Sequence, residues 1–505
     1  MQTQTPWAPA RPAVSAPPIA ALLGDAELIR TGPSSRAGDF GEGGNRFRVT
    51  DPASGATLGH VASASAADTE QAVAAAAAAW PRWRGLTAND RALLLERWAA
   101  SMRVAREDLA RIVTLEQGKP IREARAEIDY AASFLLWFAA EGERAYGETI
   151  PPHLPGCRLF TTRQPVGVTA AITPWNFPSA MIARKAGAAL AAGCPMIVRP
   201  AEETPFSALA LAVLAERAGI PAGVFSVLPG PPEPIAGVLA SSPAVRAISF
   251  TGSTRIGRRL LAQCASTVKR VSLELGGHAP FVVFGDVDLE QAVDAAAAAK
   301  FQTTGQDCLA ANRILVARPL YRAFCKRFAE RAARLRVGPG MDEASDLGPL
   351  MSRRAVEKCQ AHVDDACAKG ARLLTGGRSH PRGGTFYEPT VLADLSDDMQ
   401  IWSEETFGPV AAIAPFDGEQ QALSLANDTE YGLAAYVYTH DLQRALRVSE
   451  ALQYGMVAVN RTRFTGAPVP FGGVKQSGLG REGSRHGLDE YLDIHYVCID
   501  TGIHQ

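Results

Sequence analysis

Val168-Thr-Ala-Ala-Ile172 opens a run in which short apolar segments alternate with helical ones. A helix to Ala192 is followed by Met196-Ile-Val198, a helix from Pro205, Val224-Phe-Ser-Val-Leu228, a helix, Ala247-Ile-Ser-Phe250, a helix and Val271-Ser-Leu-Glu274. Strands this short and apolar are buried on both faces, so the run reads as a parallel α/β sheet whose ligands bind at the carboxyl ends of its strands. The helix boundaries agree: Thr204 precedes Pro205 at a first helical position, and Gly193 and Gly219 fall just past helix ends.

A second β/α series starts at Phe281-Val-Val-Phe284, passes through Arg313-Ile-Leu-Val316 and runs to about Val459. It reads as a second domain, divided from the first near Gly276-Gly277, with Cys308 in the cleft between them. Upstream, Phe47-Arg48-Val49-Thr50 reads as part of an edge hairpin among the turn signals Thr31-Gly32-Pro33, Gly41 to Gly44 and Asp51-Pro52. Ala-rich Thr69 to Trp80 is helical, and Thr87-Ala88-Asn89-Asp90 is a capping-box pattern opening a helix with Leu94, Trp98 and Met102 on one face. Ile121 to Tyr146 places Tyr130, Phe134, Trp137 and Phe138 at helical spacing, a packing stripe. The pattern breaks at Gly147, and Arg158 to Arg163 reads as an exposed hairpin edge that needs covering.

Composition bounds the function. The chain has 505 residues, 47% hydrophobic and 20% charged, enough for two or three domains with large cores. Lys+Arg 51 against Asp+Glu 52 leaves a net charge of -1, which points away from nucleic acid and anionic membranes and towards small-molecule partners. The eight cysteines include no Cys-x-x-Cys pair and no zinc-spaced Cys/His cluster, so neither a disulfide framework nor a metal is expected and a reducing cytoplasm fits. No apolar run is long enough to span a bilayer, and Met1 to Pro18 lacks a signal-peptide core and reads as a disordered extension.

Four motifs carry chemistry around Gly305-Gln-Asp-Cys-Leu-Ala-Ala-Asn-Arg313, whose Cys308 is the best candidate for a covalent nucleophile. Phe250-Thr-Gly-Ser-Thr-Arg-Ile-Gly257 lies where a strand gives way to a helix, so free backbone N–H groups face an anion such as a pyrophosphate or simply form a tight turn. Arg199-Pro-Ala-Glu202 ends the second strand, where a carboxylate suits ribose hydroxyls or solvent. Glu274, among apolar neighbours and before Gly276-Gly277, is a candidate buried base. Thr173-Pro-Trp-Asn-Phe-Pro178 follows the first strand, and its prolines fix the Asn176 amide as a donor or as a turn residue.

Together these motifs resemble the aldehyde dehydrogenase superfamily over about Leu28 to Cys498. The resemblance rests on Ile172-Thr-Pro-Trp-Asn-Phe-Pro178, Phe250-Thr-Gly-Ser-Thr254, Leu273-Glu-Leu-Gly-Gly277, Gly305-Gln-Asp-Cys308, Glu404-Glu-Thr-Phe-Gly-Pro409 and Pro470-Phe-Gly-Gly-Val-Lys475. Within it the chain looks most like the succinate-semialdehyde dehydrogenase branch, through Leu115-Glu-Gln-Gly-Lys-Pro120, Arg184-Lys-Ala-Gly187 and Ser477-Gly-Leu-Gly-Arg-Glu-Gly-Ser484.

The resemblance implies a Rossmann-like parallel-sheet cofactor domain, an α/β catalytic domain and a small β oligomerisation extension. On that plan residues 1–27 are a disordered extension, 28–146 and 166–276 bind NAD(P), 277–470 are catalytic, and 147–165 with 485–505 are strands that pair subunits into a homodimer or homotetramer. It also implies that Cys308 forms a thiohemiacetal and thioester, Asn176 and the Cys308 N–H stabilise the oxyanion, Glu274 activates water and Lys185 joins the proton path. The cofactor contacts it implies are Ile172, Thr173, Pro174, Trp175, Arg199, Glu202, Thr251, Gly252, Ser253, Leu275, Glu405 and Phe407. Glu202 favours NAD, whereas Arg199 in place of the usual Lys leaves NADP open.

The expected substrate is succinic semialdehyde or another acidic semialdehyde. Arg184 matches one of two arginines expected to hold its carboxylate; the other is Gln302 here, and Arg461 or Arg463 in the loop before Pro470 is the candidate replacement, with Thr465 a further contact. A neutral or aromatic aldehyde, CoA acylation and a catalytically silent scaffold are the alternatives. Asp307 beside the sulfur opposes thiolate formation unless its side chain points away. His278 reads as structural, and Ala310 leaves no neighbouring cysteine for a redox switch.

Overall fold

The computed structural model describes residues 18–33 and 45–502. The five apolar segments lie in one six-stranded sheet, ordered Gly478–Leu479, Arg270–Glu274, Val245–Thr251, Val168–Ile172, Met196–Arg199, Phe225–Val227. All pair in parallel except Gly478–Leu479, which runs antiparallel against Leu273 and Glu274. Chain order reverses between Val168–Ile172 and Val245–Thr251, so their carboxyl ends flank the crevice where such sheets bind ligands.

Helices Pro178–Ala192 and Pro205–Arg217 lie between this sheet and an outer layer formed by Ala88–Val104, Arg106–Gln117 and Ile121–Gly142. That position explains why their sequences are apolar nearly all round and buried nearly throughout. The Thr87 capping box forms with Asp90. Thr204 is the N-cap of Pro205–Arg217 but makes no side-chain cap bond. The buried Glu116 carboxylate accepts instead from Phe206 N at 2.6 Å, Ser207 N at 2.8 Å and Ser207 Oγ at 2.7 Å.

The second sheet has seven strands, ordered Arg372–Thr375, Thr390–Ala393, Val410–Phe416, Ala311–Ala317, Ala279–Val283, Ala434–Tyr438, Met456–Val459, and only the first is antiparallel to its neighbour. A third, antiparallel sheet orders Leu492–Asp500, Cys157–Pro165 and Thr149–Ile150. Leu492–Asp500 is an edge strand with Ile494 and Tyr496 exposed.

Three expectations need correction. The disordered reading of 1–27 fails from residue 18: Pro18–Leu22 and Ala26–Leu28 are 3-10 turns with Ile19 buried, and Asp108 accepts from Gly24 N and Asp25 N, both at 2.9 Å. Residues 1–17 and the Gly41 to Gly44 turn lie outside the described residues. The 485–505 segment is not all strand, because Ser484–Asp489 is helical and the strand begins at Leu492. Gly478–Leu479, left out of every domain range, completes the first sheet by pairing beside Glu274.

Candidate active site

Cys308 stands at the wall of a cavity of about 750 Å³, among Phe177, Tyr130, Arg184, Tyr436 and Phe471. The loop that presents it is strained: Thr303 (φ 49°), Thr304 (φ 57°) and Gly305 (φ 72°) are consecutive left-handed residues. Glu123 pins the first, accepting from Thr303 N at 2.9 Å and Oγ1 at 3.3 Å, and Thr304 Oγ1 donates to Gly348 O at 3.2 Å. At Gly305 a Cβ would lie 2.3 Å from the Gly408 carbonyl oxygen, so no other residue fits. Burial pushes the Cys308 thiol well above its ordinary value; Asp307 and then Glu405 add to this, and Arg184 opposes it. The Asp307 carboxylate is hydrogen-bonded with the Cys308 thiol and so does not point away from the sulfur.

Asn176 is buried, and its Nδ2 donates to Gln306 O at 3.1 Å, which leaves the second amide hydrogen uncommitted to that bond. Its main-chain carbonyl accepts from Lys119 Nζ at 2.7 Å. Lys119 also pairs with Glu127 at 2.7 Å, and Glu127 Oε1 accepts from Ser179 N and Ala180 N at the start of Pro178–Ala192. The Asn176 turn is thus tied to the helix that carries Arg184 and Lys185.

Glu274 is 2% exposed and neither carboxyl oxygen has a hydrogen-bond partner. Burial, then the like charge of Glu482, raises its pKa well above the usual value, against Arg184, Lys185 and Arg481. Glu482 forms an ion pair with Arg184 Nε at 2.5 Å and another with Lys185, whose Nζ also donates to Ser249 Oγ at 2.8 Å. Lys185 is driven below its ordinary pKa by burial, with Glu482 opposing.

At the sheet's switch point the hydroxyls of Thr173, just past Val168–Ile172, and of Thr251, the last residue of Val245–Thr251, are buried without hydrogen-bond partners. Ser253 is the N-cap of Thr254–Cys264 and makes no side-chain cap bond, so that helix's first amides have no side-chain cap from it. Gly252 and Ser253 thus stand at the start of that helix, at the carboxyl end of Val245–Thr251. Leu275 is buried beneath Gly257, where a Cβ would approach it to 2.4 Å. Arg199 donates through Nε at 3.0 Å and Nη2 at 2.7 Å to Gly230 O, and Nη2 reaches Glu202 at 3.2 Å. Beside buried Ile172 and half-buried Pro174, the Trp175 ring meets Phe407 edge-on at 5.6 Å. Phe407 holds φ 57°, and Glu405 Oε1 accepts from Gly277 N at 3.2 Å while burial pushes its pKa up to about 7.

Arg184, Gln302, Arg463 and Thr465 all line the Cys308 cavity. Arg461 does not line it, and its Nε donates to the Arg463 carbonyl at 3.2 Å. Tyr130, read from spacing as packing, also lines the cavity beside Arg184 and Thr465. Sequence reasoning missed Glu482, Lys119 and Glu127 as site residues. Lys119 and Glu482 lie inside motifs that mark the branch, which was the available signal. His278 is buried, with Nε2 3.3 Å from Ile401 O. Among the described residues no three His, Cys, Asp or Glu are placed to hold a metal ion, and no helix is long and apolar enough to cross a membrane.

Two mainly parallel α/β sheets, a cysteine at the wall of a cavity, a buried glutamate without a hydrogen-bond partner and a strand-order reversal in the first sheet are the features of an α/β oxidoreductase. The chain belongs to the aldehyde dehydrogenase family, whose model matches residues 40–497. It is similar to the non-phosphorylating aspartate-semialdehyde dehydrogenase of Halomonas elongata, 55% identical over 459 residues, which are 91% of this chain and 93% of that one. It is 53% identical over 456 residues to the NADP-dependent succinate-semialdehyde dehydrogenase GabD of Escherichia coli, covering 90% and 95% of the two chains. The solved succinate-semialdehyde dehydrogenase of Burkholderia pseudomallei superposes with a TM-score of 0.93 at 51% identity, covering 95% of this chain and 99% of that one. The protein is an aldehyde dehydrogenase that uses NAD or NADP.

Proposed function

We propose that this enzyme oxidises an acidic semialdehyde, succinic semialdehyde or a near relative, to the corresponding acid, with NAD as the preferred cofactor. The observation that carries the reading is one cavity lined by Cys308 and by Arg184, Arg463 and Thr465, a nucleophile opposite cationic and hydroxyl donors. Names of relatives that act on succinate and aspartate semialdehydes support it.

The Cys308 thiol gives its proton to water, the sulfur adds to the carbonyl carbon and the carbonyl oxygen becomes an alkoxide. Asn176 Nδ2 and the Cys308 N–H donate to that oxygen; a donor of this kind is worth roughly 3 kcal/mol. Thr173, Thr251 and Ser253 would hold the cofactor, with Glu202 towards its ribose and Glu405 and Phe407 at its nicotinamide end, and when bound it would accept the hydride that the alkoxide expels. The Cys308 thioester that results is opened by water. Glu274, held without a partner at an elevated pKa, takes the water's proton, and the Lys185–Glu482 pair behind it carries the proton on. Strand Leu492–Asp500 joins subunits in a homodimer or homotetramer through its open edge.

The test follows reduced-nicotinamide absorbance with NAD and with NADP on succinic semialdehyde, a longer acidic semialdehyde, butanal and benzaldehyde, with Cys308→Ala as control. Preference for an acidic substrate, lost in Arg184→Ala, is expected. Preference for butanal or benzaldehyde, or an unchanged kcat/KM in Arg184→Ala, overturns the reading. A requirement for added CoA would replace Glu274-activated water with a thiol acceptor.

A further inference from the structure

We infer that His362 is a positioning residue for the cofactor, holding residues 404–408 in the shape that presents Glu405 and Phe407. This rests on the proposed placement of those two side chains at the nicotinamide end and adds what fixes their geometry.

Residues 404–408 link the short helix Gln400–Ser403 to strand Val410–Phe416, and within them Phe407 takes φ 57°. A left-handed phenylalanine persists only where its surroundings hold it. Helix Arg353–Ala368 supplies that hold from one face, on which Lys358, Cys359 and His362 are neighbours. Lys358 Nζ donates to Glu405 O. Cys359 Sγ lies so near Gly408 that a Cβ on the glycine would come within 2.3 Å of it. His362 is buried and reaches both flanks of Glu405, with Nδ1 3.1 Å from Thr406 Oγ1 and Nε2 3.4 Å from Glu404 Oε2.

The partners decide where the ring carries its hydrogen. Burial, and then Lys358, hold His362 below its ordinary pKa against the pull of Glu404, so the imidazole is neutral at neutral pH and has one N–H. A carboxylate can only accept, so that hydrogen sits on Nε2 and Nδ1 accepts from the Thr406 hydroxyl. One side chain thereby ties down the residue before Glu405 and the residue after it. Releasing them frees Glu405 from its bond with Gly277 N, at 3.2 Å, and Phe407 from its edge-on contact with Trp175.

The experiment measures binding of the tighter-bound of NAD and NADP by quenching of protein fluorescence, with no aldehyde present, beside steady-state kinetics on succinic semialdehyde. The full-length enzyme is compared with His362→Ala, His362→Asn, Thr406→Val and Glu405→Ala. Loss of two hydrogen bonds in His362→Ala should raise Kd and KM for the cofactor by about tenfold. KM for the aldehyde and the rate at which iodoacetamide alkylates Cys308 in the cofactor-free enzyme should change less than twofold. His362→Asn, which keeps an acceptor near Nδ1, should recover part of the cofactor affinity, and Thr406→Val, which leaves the histidine in place, should show part of the loss. An unchanged cofactor Kd in His362→Ala, while Glu405→Ala weakens binding, overturns the inference and leaves the cofactor placement standing. Unchanged binding in both variants defeats the placement and the inference with it. Parallel losses in cofactor affinity, aldehyde KM and Cys308 alkylation would mean that His362 supports the fold at large, which also overturns the inference.

Discussion

Lys119 donates from one ammonium group to the main-chain carbonyl of Asn176 and to the Glu127 carboxylate, each at 2.7 Å, with both side chains of the ion pair fully buried. The residue proposed to hold the oxyanion is therefore positioned by a lysine from another helix layer. Lys119→Met keeps the volume and removes both bonds. Misplacing Asn176 by about 1 Å should lower kcat by up to about a hundredfold with little change in KM. Breaking the buried pair should also cost about 3–5 kcal/mol of stability. Steady-state kinetics well below the variant's melting temperature, together with thermal unfolding, separates the two effects; a normal kcat would remove Lys119 from the site.

Glu482 gives a pH prediction with a definite sign. It raises the Glu274 carboxyl above its ordinary pKa, second only to burial, while it also holds Arg184 and Lys185. The proposed mechanism uses Glu274 as carboxylate, so kcat should rise with pH through its titration. Glu482→Gln removes the like charge and frees two cations, so the acid limb of the kcat profile should move to lower pH. Stability moves the other way. The folded-state pKa of Glu482 is lowered from 4.5, chiefly by Arg184 and Lys185 against desolvation, so its contribution is present above pH 4.5 and lost as pH falls through the folded value. At neutral pH the variant should lose about 3–5 kcal/mol, because two buried cations are left uncompensated. An unmoved acid limb in a folded variant would show that Glu274 is not the titrating base.

The five strands from Val168 to Glu274 and the Thr87 cap were legible because periodicity and capping act within a few residues. Cys308, Asn176 and Glu274 were picked out because each sits in a motif whose chemistry demands that residue type, and the fold joins Asn176 to the Cys308 loop and buries Glu274 without a hydrogen-bond partner. Glu482 was not, since the motif around it marks the branch without showing that it meets Lys185 and Arg184 across the fold. The same holds for Gly478–Leu479, which joins the first sheet after the whole second domain has intervened. Tyr130 shows a different limit: helical spacing identifies a face, but not that one turn of that face borders a cavity. The turns at Pro18–Leu22 and Ala26–Leu28 were missed because the link between them, at Gly24 and Asp25, is held by Asp108, far along the chain.

Gln302 and Arg463 line the same cavity, whereas Arg461 does not. If Arg463 takes over from the arginine absent at 302, Arg463→Ala should raise KM for succinic semialdehyde by about tenfold or more and leave butanal oxidation nearly unchanged. Gln302→Arg in that background should restore part of the loss, since it returns a guanidinium to the same wall. Initial rates with the two aldehydes decide it. Equal losses on both would mean that Arg463 supports the loop rather than the carboxylate.

Arg199 spends three donor contacts on Gly230 O and Glu202, which fixes its guanidinium at the end of Met196–Arg199 and leaves a carboxylate beside it. A ribose 2'-hydroxyl can donate to that carboxylate, while a 2'-phosphate meets a like charge. Glu202→Gln retains an acceptor for the hydroxyl and removes the repulsion, and it leaves Arg199 without its acidic partner and ready to meet a phosphate. The ratio of kcat/KM for NADP to that for NAD should rise by about tenfold or more, mainly through KM for NADP. Because the substitution lies far from Cys308 in sequence and at the other end of the proposed cofactor, kcat at saturating NAD should change little. Initial rates across both cofactors test this directly; an unchanged ratio would place Glu202 away from the ribose and shift the search for cofactor choice to the donors around Ser253.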